Sequence, residues 1–160
     1  MRIALGSDQR SRLTDFVEQE LRRRGFHLQL YVPLAGEPLP WPDVAEAVAA
    51  AVASGEADEG ILFCWTGTGV SIAANKVPGI RAALCGDAQT AAGARAWNQA
   101  NVLCLSLATT SEAAAAQILE SWFSASPDPS EEENVRKVNR LDEKYRSAAP
   151  LPAGGEKGRA

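Results

Sequence analysis

Histidine is almost missing from this chain, since His27 is the single one among 160 residues. Cysteine is sparse as well, and Cys64, Cys85 and Cys104 form an odd set without Cys-x-x-Cys spacing, each in or at the end of an apolar run. Such a set disfavours both a disulfide framework and a metal site, so we expect no bound metal. Free thiols of this kind are typical of a protein of the reducing cytoplasm.

Basic residues are fewer than acidic ones in this chain. The chain has 16 Lys and Arg against 20 Asp and Glu, a formal net charge of -4 and a pI of about 5.1. General binding to nucleic acid needs a basic face, so no nucleic-acid partner is expected. There is no uncharged apolar run of about 18 residues and no long apolar stretch behind the basic N-terminus, so we expect neither a membrane span nor secretion.

The residues that are abundant suit a folded core, because 46% of the chain is hydrophobic and 160 residues suffice for one soluble domain. Strand-length apolar runs alternate with helical patterns, which predicts an α/β fold, a Rossmann-like open sheet of about five parallel strands with helices on both faces. The predicted strands are 3–6, 26–32, 60–64, 80–85 and 101–107, and the helices between and after them are about 13–24, 43–54, 70–76, 87–97 and 111–123. Alternation makes 26–32 an outer strand, whereas the mostly apolar 80–85 is expected to be buried on both faces.

The end of the chain is more charged than the rest. Residues 131–146 predict a helix whose thin apolar stripe consists of Val135, Val138 and Leu141. Because so narrow a stripe has little to bury against its own domain, we expect it to dock on a neighbouring subunit. Prolines, glycines and charge then predict a disordered tail over 147–160, so the single domain spans 1–146.

The stretch from 60 to 78 changes character twice. An apolar run ends at Cys64, a glycine-rich turn follows to Gly69, and a helical pattern starts at Val70. Gly67 and Gly69 permit positive φ and close approach of a ligand, and the amides at a helix start favour negative charge. A Walker loop is excluded because no Lys followed by Ser or Thr comes after the second glycine, and a dinucleotide fingerprint lacks its third glycine at Ile72. Ligands of such a sheet bind at the carboxyl ends of the strands, where five residues fall: Asp8, Cys64, Gly86, Asp87 and Leu107.

The stretch from Cys64 to Lys76 resembles the active-site loop of ribose-5-phosphate isomerase B and the galactose-6-phosphate isomerase subunits, Cys-Gly-Thr-Gly-x-Gly-x-Ser-Ile-Ala-Ala-Asn-Lys, with Trp65 in place of the first glycine. Gly6-Ser7-Asp8 and the segments 79–85 and 98–103 extend the resemblance. It implies a cytoplasmic aldose–ketose isomerase that acts on a sugar phosphate without a cofactor. It also implies a homodimer or homotetramer with shared active sites.

The resemblance assigns roles residue by residue. Cys64 takes the place of the base that moves a proton between C1 and C2 of the sugar, and Thr66 that of the hydroxyl that assists. The amides at the start of the helix that follows Cys64, from about Gly67 to Ser71, are expected to stabilise the enediolate. Two structural alternatives stay open, namely Cys64 as a small buried apolar residue and Asp8 as the N-cap of the first helix. The predicted substrate-binding residues are Asp8, Gln9, Gly67, Thr68, Gly69, Val70, Ser71, Trp97 and Asn98.

Several family positions are altered. The two histidines of the family fall on Gln9 and Trp97, and His27 lies far from every matched position on the polar side of an outer strand. The family's Arg-His-x-x-Arg stretch falls on Glu133, Asn134, Val135, Arg136 and Lys137, and of its three specified positions only the last, Lys137, keeps a cation. The remaining phosphate-binding candidates are Arg10, Arg12, Arg136, Lys137 and Arg140, each of which is alternatively a solvated surface charge.

The missing histidines leave two questions open. A non-catalytic or regulatory sugar-phosphate binder is the alternative to an enzyme, although such a binder has no need of Cys64 and Thr66. The family's ring-opening histidine is Trp97 here, and indole offers no usable acid or acceptor. Tetrose 4-phosphates cannot close a five-membered ring, and Trp65 and Trp97 would shrink the pocket. We therefore hypothesise a four-carbon substrate, with a five- or six-carbon sugar phosphate as the alternative.

Overall fold

The computed structural model describes residues 1–31, 33 and 39–146. The predicted tail, the strand position at Val32 and most of the proline- and glycine-rich loop after it lie outside the described residues. Within the described part, no helix has both the length and the apolar character needed to cross a membrane.

Strands and helices alternate along the described chain, as predicted. The strands are β1 (Arg2–Ser7), β2 (His27–Tyr31), β3 (Glu59–Cys64), β4 (Ala82–Leu84) and β5 (Val102–Ser106). The helices are α1 (Arg12–Arg23), α2 (Trp41–Ala53), α3 (Thr68–Ala74), α4 (Ala88–Asn98), α5 (Glu112–Ser124) and α6 (Glu132–Arg146), with one 3-10 turn at Pro129–Glu131. All strand pairs are parallel and the order is β2-β1-β3-β5-β4, which confirms the predicted fold class.

The two edges of the sheet test two predictions. The outer position of β2 is confirmed. The expectation that 80–85 is buried on both faces is wrong, because β4 is the opposite edge strand and its last residue, Leu84, is 38% exposed. The apolar run misled because Ile80 and Cys85, which flank the short strand, are buried whereas the strand between them is not.

Helices cover both faces of the sheet. On one face, Leu5, Phe63 and Leu105 join residues of α1, α4 and α5. On the other, alternate strand residues such as Leu62 and Val102 pack with α2 and α3. Side chains of successive strand residues point to opposite faces, so each central strand contributes to both clusters.

A buried ion pair ties β3 to α4 and α5. The Glu59 carboxylate accepts from the Trp122 indole N–H at 2.6 Å and lies 2.7 Å from the Arg95 guanidinium. Burial raises the pKa of Glu59, so the hydrogen bond and the ion pair do not fully compensate the loss of water. Removal of Arg95 alone would therefore destabilise the fold, because it would leave the Glu59 carboxylate buried without its cation.

The last helix contacts its own chain more than the sequence suggests. Val135 is buried, the backbone N–H of Gly79 donates to the Asp142 carboxylate at 2.7 Å, and Asn139 accepts from Arg81 at 3.0 Å. For Val135, the expectation that the stripe has little to bury at home is therefore wrong. Val138 and Leu141 remain about half exposed, and docking of that part on a neighbour stays a prediction.

Candidate active site

The carboxyl ends of β1 and β3 bring two predicted residues to one pocket. Ser7 pairs with Phe63 in the parallel register, so Asp8 leaves its strand beside the position where Cys64 ends the next one. The pocket at this edge has a volume of about 270 Å³. Its lining consists of Asp8, Trp41, Cys64, Trp65, Thr66, Thr68 and Gly69. Two members of the proposed catalytic set, Cys64 and Thr66, thus meet in it.

The loop after Cys64 is held by the end of β5. The Ser106 hydroxyl donates to the Trp65 carbonyl at 2.9 Å, and the N–H of Ala108 donates to the same carbonyl at 2.9 Å. The N–H of Leu107 donates to the Cys64 carbonyl at 3.0 Å. These bonds hold the carbonyl groups of Cys64 and Trp65 against the end of β5, so the position of the Cys64 thiol relative to the glycine-rich turn is fixed.

Gly67 is required where it stands. Its φ is 74°, in the left-handed region, and a Cβ there would lie 2.5 Å from the Leu84 Cδ1 and 3.0 Å from the Leu105 carbonyl carbon. As the N-cap of α3 it supplies no side-chain hydrogen bond to the first turn. The loop can therefore approach β4 and β5 only because this residue lacks a side chain.

The hydroxyls of Thr66 and Thr68 form a pair. Their Oγ1 atoms lie 2.6 Å apart, and both residues line the pocket. Gly67, Val70 and Ser71, which the sequence also predicted to bind substrate, are not among the residues that line the pocket. Val70 is buried in the core, and the Ser71 hydroxyl lies 3.5 Å from the Ala82 carbonyl.

The structure excludes one of the two interpretations of Asp8, namely the N-cap of α1. Ser11 is the N-cap of α1, where it accepts from the Thr14 N–H and donates its own N–H to the Thr14 hydroxyl, so Asp8 is not the cap. Its Oδ1 atom is buried and has no hydrogen-bond partner among the described residues. Burial raises the pKa of Asp8. A buried acceptor without a donor in a pocket is suited to a ligand hydroxyl.

The neighbour of Asp8, Gln9, is exposed and does not line the pocket. The Ser7 hydroxyl donates to its carbonyl at 2.6 Å and accepts from its N–H at 3.3 Å. This local turn directs the chain from β1 toward α1.

The three thiols differ in position. All three are buried, but only Cys64 is among the residues that line the Cys64 pocket. Burial raises the pKa of Cys85 to about 12 and also raises the pKa of Cys104. Thiols with so high a pKa stay protonated near neutral pH and are poor bases. Cys85 and Cys104 therefore serve as small core residues.

Trp41, the first residue of α2, lines the pocket and was not singled out from the sequence. Its ring lies against Gly69, where a Cβ would approach the indole to 3.1 Å. The available signal was a large aromatic residue between Pro40 and Pro42 at the start of a helix of small residues. Such a residue begins its helix at the carboxyl edge of the sheet.

Trp97 and Asn98 lie in a different cavity of the same chain. This cavity, of about 400 Å³, lies between the end of α4, the start of β4 and α6, and its lining includes Val138 and Leu141. The structure of one chain therefore does not bring Trp97 and Asn98 together with Cys64.

The predicted phosphate-binding cations also lie apart from the Cys64 pocket, whose described lining contains none of them. Four form ion pairs with carboxylates, namely Arg10 with Asp15, Arg12 with Glu112, Arg136 with Glu132 and Arg140 with Glu133. Lys137 is exposed on α6. Among the described residues, no group of three or more His, Cys, Asp or Glu is placed to hold a metal ion.

Comparison with known proteins gives consistent matches. The family described as Ribose/Galactose Isomerase matches residues 3–141. The D-erythrulose-4-phosphate isomerase of Pectobacterium atrosepticum is 37% identical over 130 residues, which are 77% of this chain and 82% of that protein. Ribose-5-phosphate isomerase B of Escherichia coli is 43% identical over 91 residues, 57% of this chain and 61% of that one. The solved structure of Clostridium thermocellum ribose-5-phosphate isomerase B has a TM-score of 0.85 at 37% identity, covering 91% of this chain and 99% of that chain.

Proposed function

This chain belongs to the ribose/galactose isomerase family and is a sugar-phosphate isomerase, and on this premise we propose that Cys64 is the base that interconverts the aldose and ketose forms of its substrate. One observation carries the proposal, namely that Cys64, Thr66 and Asp8 line a single pocket at the carboxyl edge of the sheet. Such an edge is where open α/β sheets bind ligands.

Each group in the pocket suits one part of the reaction. Cys64, acting as the base, removes the proton on C2 of the aldose, which leaves an enediolate, and it then returns the proton to C1 to give the ketose. The Thr66 hydroxyl, paired with Thr68, moves a proton between the two substrate oxygens. The Asp8 carboxylate accepts a hydrogen bond from a substrate hydroxyl. The backbone amides of Thr68 and Gly69, which line the pocket, stabilise the enediolate, whereas those of Gly67 and Ser71 already donate to the carbonyls of Cys64 and Gly67. No electrons leave the substrate, so the net change is a shift of two protons.

Removal of the thiol tests this mechanism. Cys64→Ala is expected to lower the rate of proton exchange between solvent D₂O and C1 or C2 of the substrate by about 10²–10⁴-fold, the usual contribution of a general base. Proton NMR of the sugar measures the exchange. Cys85→Ala is the matched control, because it removes a thiol outside the pocket.

Two results contradict the proposal in different ways. Equal exchange by the wild type and Cys64→Ala removes Cys64 from its role. Binding of the sugar phosphate by the wild type, measured by calorimetry, without any exchange or turnover indicates instead a regulatory binder. The replacement of both family histidines, at Gln9 and Trp97, is the feature that favours this second function.

We further propose that two subunits complete each site. The described lining of the Cys64 pocket contains no cation, whereas Arg136, Lys137 and Arg140 lie on α6 near the exposed Val138 and Leu141. Docking of this exposed part on a neighbour, in a homodimer or homotetramer, would bring a cation to its substrate phosphate. The same docking would carry Trp97 and Asn98, which share a cavity with that part of α6, toward the partner's pocket.

Two truncations test the shared site. A chain that ends at Ser130 is expected to lose activity and dimerisation together, whereas one that ends at Arg146 keeps both, because the proposed domain is 1–146. Analytical ultracentrifugation and turnover measure the two properties. A chain ending at Ser130 that stays dimeric and fully active contradicts the proposal. The double substitution Val138→Asp and Leu141→Asp, at two exposed positions, is expected to abolish dimerisation while the monomer still folds, so it distinguishes a loss of docking from a loss of folding.

The substrate we propose is a tetrose phosphate. It is supported by Trp97 in place of the ring-opening histidine, by the two indoles of Trp41 and Trp65 around the pocket, and by the similarity to a D-erythrulose-4-phosphate isomerase. Restoration of the acid in Trp97→His is expected to raise kcat/KM for ribose 5-phosphate more than for erythrose 4-phosphate. An equal effect on both substrates contradicts the assignment of Trp97. We place the enzyme in the cytoplasm, where its three free thiols would persist.

A further inference from the structure

Trp41 has a fixed backbone at the mouth of the Cys64 pocket. It is the first residue of α2, preceded by the N-cap Pro40 and followed by Pro42. The ring of each proline fixes its own φ, and Pro42 also restricts the backbone of Trp41. The indole, which is 42% exposed, therefore starts from a restricted main chain and faces the pocket.

The helix that carries Trp41 lies directly on β1, which leads to Asp8, and on β3, which ends at Cys64. A Cβ at Gly6 of β1 would lie 2.7 Å from Val48, and a Cβ at Gly60 of β3 would lie 2.8 Å from the same valine. No side chain separates the helix from either strand at these points. Close packing of this kind resists sliding, so the start of α2 keeps its position relative to the strand ends.

The indole is also seated on the loop. A Cβ at Gly69 would lie 3.1 Å from Cε3 of Trp41 and 3.2 Å from its Cδ2 and Cζ3. The ring thus packs on the first turn of α3, next to Thr68. Trp65, on the loop itself, is 63% exposed, against 42% for Trp41.

We infer that Trp41 is the wall that limits the length of the sugar-phosphate chain in this pocket, an inference that rests on the proposed function. Each additional CHOH unit must either displace the seated indole or shift the reacting carbons away from Cys64. A pocket of fixed size discriminates one carbon unit by about 10–200-fold. Because its helix and loop hold it from two sides, Trp41 sets this limit more strictly than the exposed Trp65.

Inhibitors of different length test the inference without the complication of ring opening. Aldonic acid phosphates of four and five carbons are open chains that carry a carboxylate in place of the reacting carbonyl and cannot isomerise. Their inhibition constants are measured against the wild type, Trp41→Phe, Trp41→Ala and Trp65→Ala. Glu46→Ala is the control, because Glu46 lies on the exposed face of the same helix.

If Trp41 limits the chain length, the ratio of the affinities for the two inhibitors should change in proportion to the size of the side chain removed. The affinity for the five-carbon inhibitor relative to the four-carbon one is expected to rise at least tenfold in Trp41→Ala, less in Trp41→Phe, and to stay unchanged in Glu46→Ala. A ratio within twofold of the wild type in Trp41→Ala, or an equal or larger change in Trp65→Ala, overturns the inference. If Trp41→Ala does not fold, as judged by its melting curve, Trp41→Phe alone decides by the same criterion with a threefold threshold.

The outcome is separable from that of the proposed function. Turnover by the unmodified enzyme is measured in parallel with an aldose phosphate. An absence of turnover rejects the isomerase proposal, whereas an unchanged inhibitor ratio in an active enzyme rejects only the role of Trp41.

Discussion

Gly67→Ala is a substitution whose effect follows directly from the geometry of the loop after Cys64. The residue has a φ of 74°, and the added methyl would lie 2.5 Å from Cδ1 of Leu84 and 3.0 and 3.1 Å from the carbonyl carbon and oxygen of Leu105. The Leu84 side chain can rotate away. The Leu105 carbonyl is backbone of a central strand and cannot move without disturbing β5.

Two contributions give the magnitude. An L-residue in the left-handed region costs about 1 kcal/mol relative to glycine. Overpacking of a well-packed site adds about 1–3 kcal/mol. The free energy of unfolding is therefore expected to fall by about 2–4 kcal/mol. Gly55→Ala is the matched control, because Gly55 has a φ of 78° with nothing within 4 Å of a Cβ, so only the backbone contribution of about 1 kcal/mol applies.

Urea unfolding measures both variants. We expect Gly67→Ala to lose about 1–3 kcal/mol more than Gly55→Ala, the difference being the steric part. Its kcat/KM is also expected to fall at least tenfold, since the shifted loop carries Thr66, whereas that of Gly55→Ala stays within twofold. Equal loss of stability in the two variants would refute the close approach of the loop to β5.

Two further predictions follow from the buried carboxylates. Arg95→Met is expected to lower the free energy of unfolding by about 3 kcal/mol because it leaves Glu59 buried without its cation. The control Arg2→Met breaks the exposed pair with Asp58 and should leave the free energy of unfolding almost unchanged. Equal losses for the two variants in denaturant titrations would contradict this account. Burial raises the pKa of Asp8, so kcat/KM should fall as pH drops through that raised pKa, and Asp8→Asn should show lower activity without this acid limb. A carboxyl group whose pKa is higher in the folded than in the unfolded protein favours folding only while it is protonated, and this contribution is lost as the pH rises through the folded-state pKa. At pH 7 the ionised Asp8 therefore disfavours folding, so Asp8→Asn should have a higher melting temperature than the wild type at pH 7 but not at pH 3.

The order of elements was predictable because local patterns determine it. Apolar runs of strand length and helices with clear caps, such as Asp87 before α4 and Ser111 before α5, have signals within a few residues. The loop that lines the candidate pocket was noticeable for the same reason, since the glycine-rich turn after Cys64 is a contiguous motif.

The features that were missed depend on contacts between distant segments. The position of β4 at an edge follows from its pairing with β5 alone in the described sheet, which its own apolar sequence does not reveal. Val135 is buried because α6 returns to its own chain near Gly79. Trp41 enters the pocket because α2 packs on Gly6 and Gly60, residues that lie far from it in sequence.

The separation of Trp97 from Cys64 has a related cause. The resemblance placed both residues in one site, whereas a single chain holds them in two cavities. Matching a sequence to a family motif indicates which residues form the site, but it does not indicate which subunit contributes each of them. The proposal of a shared site therefore depends on the assembly.

The central claim, a sugar-phosphate isomerase with a pocket for a four-carbon chain, is tested most directly by kcat/KM of the unmodified enzyme for erythrose 4-phosphate and ribose 5-phosphate. Both are measured by NMR at the same enzyme concentration, pH and temperature. The account predicts conversion of erythrose 4-phosphate to the corresponding ketose with a kcat/KM at least tenfold above that for ribose 5-phosphate. Faster turnover of ribose 5-phosphate contradicts the proposed substrate, and turnover of neither substrate contradicts the account as a whole.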